Sequence, residues 1–378
     1  MVYFDNSATT EPLKEVSEIM RDVFYNYYGN PSSLHSLGKR AEDKLIEARK
    51  TIAATIKAEA EEIIFTSGGS ESNNFLIKGF VKPGLHIITS KIEHPSVLNS
   101  FAQLERFGVK VTYIDVDSNG KIKLDQLENS ITKDTVLVSI MHVNNETGVI
   151  QDLKKISSVI KSKSARAKFH VDAVQSYGKL KINPSKMGID LLSASAHKIY
   201  GPRGIGFAYV RKGLNPEPLI AGGGQEFGFR GGTENLPAMC AFAFAAEKIH
   251  ENMEDNYNKV KALKEYFLNK VSKIDKIIIN SGTGDDFLPH VVNVSFEGVR
   301  GEVLVHALED KEIYVSTGSA CSSKRKHISH VLQAIGVKEC DMEGAIRFSF
   351  SPKNTFEEID YTIENIEKIL VFLRRIKK

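Results

Sequence analysis

Between Ile63 and Val210 short apolar runs alternate with segments of helical spacing. Ile63–Thr66, His86–Ser90, Val109–Ile114, Thr135–Met141, Phe169–Val171, Leu191–Ser193 and Ile205–Val210 read as strands. Between them, Glu71–Val81, Pro95–Phe107, Leu124–Ser130 and Leu153–Lys161 return apolar residues every three or four positions, as helices do. This β-α-β-α alternation predicts a mostly parallel sheet flanked by helices. Ligands of such sheets belong at the C-terminal ends of the strands.

Past the glycine-rich stretch Gly222–Gly232 the pattern changes. Leu236 to about Val271 predicts one or two long helices leading away from the sheet. Strands at Ile277–Ile279, Val291–Phe296, Ile313–Val315 and Ala345–Ser349 then alternate with helices at Gly301–Lys311 and Phe356–Arg374, which suggests a smaller α/β domain. Thr355, with Glu358 three residues later, forms a capping box that starts the last helix. We expect a large domain over residues 12–250 and a small one over 251–378, with residues 1–11 packing on the small one.

Length agrees with two domains, since 378 residues exceed what one core usually supports. Charge excludes more than it reveals: 50 basic against 47 acidic side chains give a net +3, too balanced to argue for nucleic acid or a membrane surface. The terminal Arg374–Lys378 is locally basic, as the end of a solvated helix is. No leader-like apolar stretch opens the chain and no run of 18 apolar residues occurs, so a cytoplasmic protein is expected. The three cysteines, Cys240, Cys321 and Cys340, are widely spaced and lack the pairing of a zinc site or a disulfide framework.

Five segments carry candidate chemistry. Ser193-Ala194-Ser195-Ala196-His197-Lys198 follows an apolar strand. A lysine there among small residues can be desolvated toward the uncharged amine that forms a Schiff base with an aldehyde cofactor, although alone it is an ordinary lysine. His170-Val171-Asp172-Ala173-Val174-Gln175 ends another strand. A carboxylate there can keep a pyridine nitrogen protonated, which makes pyridoxal phosphate an electron sink; capping the next helix is the plainer role for Asp172. Thr66-Ser67-Gly68-Gly69-Ser70-Glu71 runs through two glycines into a helix whose first amides and Ser70 hydroxyl suit a phosphate. His94, in Lys91-Ile92-Glu93-His94-Pro95, can stack on a planar cofactor and exchange protons near neutral pH. Finally, Ser316–Ser323 is a run of small residues containing Cys321, followed by Lys324, Arg325, Lys326 and His327. Little there is worth burying, so mobility is expected, and the nearby cations favour the thiolate. Cys240, on an apolar helix, reads as core, and Cys340 sits between two acids.

Together these segments resemble the cysteine desulfurases of the NifS/IscS-like group, in the aminotransferase class V family of fold-type I pyridoxal-phosphate (PLP) enzymes. The likeness starts at Tyr3-Phe4-Asp5-Asn6-Ser7-Ala8-Thr9-Thr10 and continues through Gly29-Asn30-Pro31-Ser32-Ser33 and Ser139–Glu146. It includes His197-Lys198, Arg230-Gly231-Gly232-Thr233 and Gly318-Ser319-Ala320-Cys321, and so spans nearly the whole chain.

The resemblance implies a role for each matching residue. Lys198 corresponds to the Schiff-base lysine, Asp172 to the partner of the pyridine nitrogen, Gln175 to a donor to the ring hydroxyl oxygen, and His94 to the imidazole stacked on the ring. Gly69, Ser70, Ser195 and His197 would hold the phosphate, with Thr233 reaching it from the other subunit of a homodimer. Asn145 and Arg347 would take the substrate carboxylate, for which a guanidinium fork is suited. L-cysteine would lose its sulfur to Cys321 as a persulfide and leave as L-alanine. The persulfide would pass to an acceptor such as an iron-sulfur scaffold or a tRNA-thiolation enzyme. No metal is implied, beyond Cys321 as a transient ligand of a forming cluster. A class V aminotransferase, or a related lyase acting on a small amino acid, would share the cofactor residues but not need the Cys321 loop. Three features depart from the group: Ser70 follows Gly68-Gly69 where relatives commonly carry Gly-Ala-Thr, Lys324-Arg325-Lys326 is unusually basic, and no C-terminal extension follows the last helix.

Overall fold

The computed structural model describes residues 1–318 and 329–376. Its largest feature is a seven-stranded sheet. After β1 (Val2–Tyr3), which lies elsewhere, the strands are β2 (Ile63–Thr66), β3 (His86–Ser90), β4 (Lys110–Ile114), β5 (Thr135–Ser139), β6 (Lys168–Asp172), β7 (Leu191–Ser195) and β8 (Gly206–Val210). Their order is β2-β8-β7-β6-β5-β3-β4. From β7 to β4 every pairing is parallel, and β8 runs antiparallel between β7 and β2. Five of the seven strands, β2, β3, β5, β7 and β8, are buried along their whole length. Helices on both faces require this, and it is why these strands read as continuous apolar runs.

Four helices set up the site and the N-terminal side of the sheet: α1 (Lys14–Asn26), α2 (Ser36–Ile56), α3 (Gly69–Lys78) and α4 (Pro95–Arg106). The sequence reading starts the third at Glu71, but it begins two residues earlier. Gly68, at φ 149°, makes the turn, so Gly69 and Ser70 become the first helical residues. β7 likewise runs on through Ala194 and Ser195 to the edge of the cavity. Small residues at a strand end hide its length in sequence.

Leu236–Val271 is two helices, Leu236–Glu251 and Met253–Val271, separated at Asn252. Leu236, Met239, Phe242 and Ala246 of the first belong to the core beneath the large sheet. Val260, Leu263, Phe267 and Val271 of the second join a separate core with β10 (Val291–Phe296), β12 (Ala345–Ser349) and the helix Phe356–Ile376. β10 is the middle of a three-stranded antiparallel sheet between β12 and β9 (Ile277–Ile279). Here the structure corrects the sequence reading. The strand expected at Ile313–Val315 is only β11 (Ile313–Tyr314), and it pairs in parallel with β1 at the N-terminus rather than entering that sheet.

That pairing anchors the start of the chain. Val2 and Phe4 lie in the second core, and Phe4 is wholly buried, a contribution of roughly 2–3 kcal/mol. Asp5 then bridges to Ser349 at the end of β12, and residues 7–10 run on toward Lys198. In the opposite direction, Val331 and Ile335, beyond the undescribed segment, pack back on the large core. Among the described residues no helix is long and apolar enough to cross a membrane.

Candidate active site

The C-terminal ends of β6 and β7, the N-termini of α3 and α4, and the segment after β1 converge on a cavity of about 460 Å³. A small cofactor with an amino acid beside it needs a volume of this order. Its lining includes Gly69, Ser70, His94, Asn145, Asp172, Gln175, Ser195, His197, Lys198 and Arg347.

β7 ends at Ser195, and one turn of 3-10 helix, Ala196–Lys198, swings the lysine into the cavity. Its Nζ donates to the carbonyls of Ser7 (2.5 Å) and Ala8 (2.8 Å). Ser7 O also accepts from Gln175 Nε2 at 3.0 Å. The segment after β1 therefore binds two residues expected to face a cofactor.

Asp172, the last residue of β6, is 4% exposed. Its Oδ1 accepts from Val174 N at 3.0 Å and its Oδ2 from Asn73 Nδ2 at 2.8 Å. It holds the turn that follows, where no helix begins, and it also lines the cavity. Asn73, buried on α3, continues the network. It donates to Ser96 Oγ at 2.8 Å and accepts from Ser193 Oγ at 2.5 Å. Ser96 N donates to His94 Nδ1 at 3.1 Å, so Nδ1 is an acceptor and the neutral ring carries its proton on Nε2. Ser96 Oγ, 2.8 Å from the same nitrogen, is then its second donor. Burial lowers the His94 pKa, with Lys198 and His330 adding to the effect and Asp172 opposing it, which keeps the ring neutral near pH 7. Asn73 and Ser96 escaped the sequence reading. The one signal for Asn73 is that Ser72 and Asn73 share the buried side of the helix with Phe75, Leu76 and Ile77.

Gly69 and Ser70 open α3, whose first amides lack intrahelical partners and carry the positive end of the helix dipole. A Cβ on Gly69 would stand 2.7 Å from Val174 Cγ2, so a larger residue there would need the Val174 side chain to shift. The Ser195 hydroxyl faces Gly68 from β7. His197 Nδ1 is 3.2 Å from Thr9 Oγ1. Burial, with Lys198, Arg203 and Lys179, pushes the His197 imidazole down to about 4, leaving it a neutral hydrogen-bonding group. Amides, a hydroxyl and an imidazole around a glycine gap form an anion cradle. Together with an amine and a carboxylate across the cavity, this donor set fits PLP.

Arg347, in the middle of β12, is 3% exposed. Its Nη1 donates to Asn145 O at 3.1 Å and its Nη2 to Asp5 Oδ1 at 2.9 Å. Its Nε has no partner among the described residues. Asn145 is thus near the guanidinium through its main chain.

Two predicted site residues are not brought together here. Thr233 is exposed and outside the cavity of its own chain. Cys321, with Lys324, Arg325, Lys326 and His327, lies outside the described residues. Gly318 before it and Ser329 and His330 after it all line the cavity. The other thiols differ from the sequence reading only in degree. Cys240 is half-buried against the large core, where burial pushes its thiol up to about 11, and Cys340 is exposed with Sγ 3.5 Å from Asp341 Oδ1.

Comparison with known proteins agrees with this geometry. The aminotransferase class-V family profile matches residues 2–362. Cysteine desulfurase IscS of Dictyoglomus turgidum is 42% identical over 379 residues, covering 99% of this chain and 96% of its own. A solved NifS-like protein superposes with a TM-score of 0.92 at 40% identity, covering 98% of this chain and 99% of its own. SspA, solved in complex with cysteine, superposes with a TM-score of 0.82 at 37% identity, covering 94% of this chain and all of its own. The chain belongs to the aminotransferase class-V family and, within it, to the cysteine desulfurases of the NifS and IscS group.

Proposed function

We propose that this protein is a PLP-dependent cysteine desulfurase that converts L-cysteine to L-alanine and holds the sulfur as a persulfide on Cys321. The observation that carries the reading is the meeting of Lys198, Asp172, His94 and Arg347 in one cavity that Gly318, three residues before Cys321, also lines. Three residues of chain span no more than about 11 Å. The names of the relatives and the cysteine complex of SspA support the substrate.

Lys198 would hold the cofactor covalently, Asp172 its ring nitrogen, Gln175 its ring oxygen and His94 its face. Gly69, Ser70, Ser195 and His197 would hold its phosphate, and Thr233 of a second copy would complete that cradle, making the working unit a homodimer. When bound, PLP supplies an electron sink conjugated to the substrate Cα. The chain's own groups do the rest. Arg347 and Asn145 bind and orient the α-carboxylate. Lys198 Nζ takes the Cα proton as base and returns a proton as acid. The Cys321 thiolate attacks the substrate sulfur, forming an S–S bond while the Cβ–S bond breaks. The balance is L-cysteine plus protein thiol giving L-alanine plus protein persulfide, with no outside oxidant.

The persulfide would then pass to an acceptor protein in the cytoplasm, such as an iron-sulfur scaffold or a tRNA-thiolation enzyme. Cys321 could ligate a forming cluster only in transit. The reading is tested by supplying the holoenzyme with L-cysteine and excess dithiol. Alanine and sulfide should appear in equal amounts. A keto acid, with the amino group retained on the cofactor, would instead mark an aminotransferase.

A further inference from the structure

Asp5 takes no part in the proposed reaction, yet its carboxylate forms the salt bridge to the Arg347 guanidinium at 2.9 Å. The arginine side chain is only 4% exposed. Arg347 faces the cavity, whereas Asp5 is not among its lining residues. The carboxylate therefore backs the guanidinium rather than occupying the place of a ligand.

Asp5 is also unable to withdraw. The carbonyl of Phe4 before it accepts from Ser349 N at 2.6 Å, and Asn6 N after it donates to Ser349 O at 3.3 Å. Its own carbonyl accepts from Tyr3 Oη at 3.2 Å. Ser349 lies two residues from Arg347 on the same strand, so the hydrogen bonds that fix the Asp5 backbone also fix its distance from the guanidinium.

A carboxylate arriving at Arg347 meets a cation already paired with a fixed anion. Two carboxylates sharing one cation repel each other, and in a site shielded from water that repulsion lowers affinity. We infer that Asp5 is a positioning residue that tunes affinity: it aims the Arg347 fork and, as a negative charge behind it, weakens the grip on any α-carboxylate, so that the alanine product is released. This rests on the proposed role of Arg347 as the receptor of the substrate carboxylate.

The test is Asp5→Asn, which keeps an oxygen able to accept from Nη2 and removes only the charge. L-alanine is titrated calorimetrically into the holoenzyme, with L-alaninamide as the probe lacking a carboxylate. The Kd of L-alanine should fall about five- to tenfold, and KM for cysteine should fall with it. Affinity for L-alaninamide should stay constant. Asp5→Glu, which retains the charge, should bind L-alanine within about twofold of the parent protein. If Asp5→Asn does not fold, Asp5→Ser replaces it with the same expected sign. Weakened or unchanged L-alanine binding in the charge-free variant overturns the inference, because Asp5 would then be only an orienting support. Arg347→Gln separates the two levels. If it fails to weaken L-alanine relative to L-alaninamide, the carboxylate site itself is wrong, whatever Asp5 does.

Discussion

Glu93, next to His94, is wholly buried. Its Oε1 accepts from Ser90 Oγ at 2.5 Å and Met141 N at 3.0 Å, while its Oε2 has no partner among the described residues. Burial raises its pKa from 4.5 to about 8 against the pull of those two donors, with Asp172 adding slightly to the rise. The folded state thus favours the neutral acid. Stability from this group is fully present below the unfolded value of 4.5 and is lost as pH rises toward 8. At about 1.4 kcal/mol per pH unit, the loss between about pH 5 and about pH 8 is roughly 3–4 kcal/mol. Glu93→Gln keeps an oxygen for Ser90 and Met141 and cannot ionise. Its extra amide donor adds a constant cost of about 1–3 kcal/mol, which leaves the pH dependence untouched. Urea unfolding of parent and variant holoenzyme at the two pH values measures the difference. The chain has no tryptophan, so helical circular dichroism is the signal. The stability of the variant relative to the parent should rise by roughly 3–4 kcal/mol from the lower to the higher pH. A difference that does not change with pH would show that Glu93 is ionised in the fold, and would refute the reasoning.

Other expectations are simpler. Borohydride reduction of the yellow holoenzyme should fix the cofactor on the peptide containing Lys198, and a label on any other peptide would remove Lys198 from its role. Subunits carrying Thr233→Ala should lose PLP more readily than the parent. When such subunits are mixed with Lys198→Ala subunits, each site would draw on both chains, whereas a fully active monomer would exclude this.

The parts of the fold legible in sequence are those whose signal is local. β2, β3, β5, β7 and β8 are visible because strands covered on both faces are mostly apolar. The capping box at Thr355 is observed, with Glu358 N donating to Thr355 Oγ1 and Thr355 N to Glu358 Oε2. α2 is not legible in the sequence, although Ala41, Leu45, Ala48, Ile52 and Ile56 mark its buried side. Alanines signal burial weakly, and Arg49 interrupts the stripe. Arg49 is tolerated there because it pairs with Glu226, 177 positions away, a partner no local pattern reveals. The candidate site divides in the same way. Lys198, Asp172 and His94 announce themselves as reactive side chains at strand ends or just past them. Asn73 acts only through the docking of α3 on β6 and β7, and the Ser7 and Ala8 carbonyls are main-chain groups without a residue signature. The pairing of β1 with β11, which delivers those carbonyls, joins residues more than 300 positions apart.

The central claim is that sulfur leaves cysteine onto Cys321, and intact-protein and peptide mass spectrometry after one turnover tests it most directly. Holoenzyme is mixed with sulfur-labelled L-cysteine in the absence of any reductant. The account predicts one labelled sulfur per active site, on the peptide containing Cys321, with one alanine released for each, and no sulfur transferred by Cys321→Ser. Labelled sulfur on Cys240 or Cys340, or alanine released at the parent rate by Cys321→Ser, would contradict it.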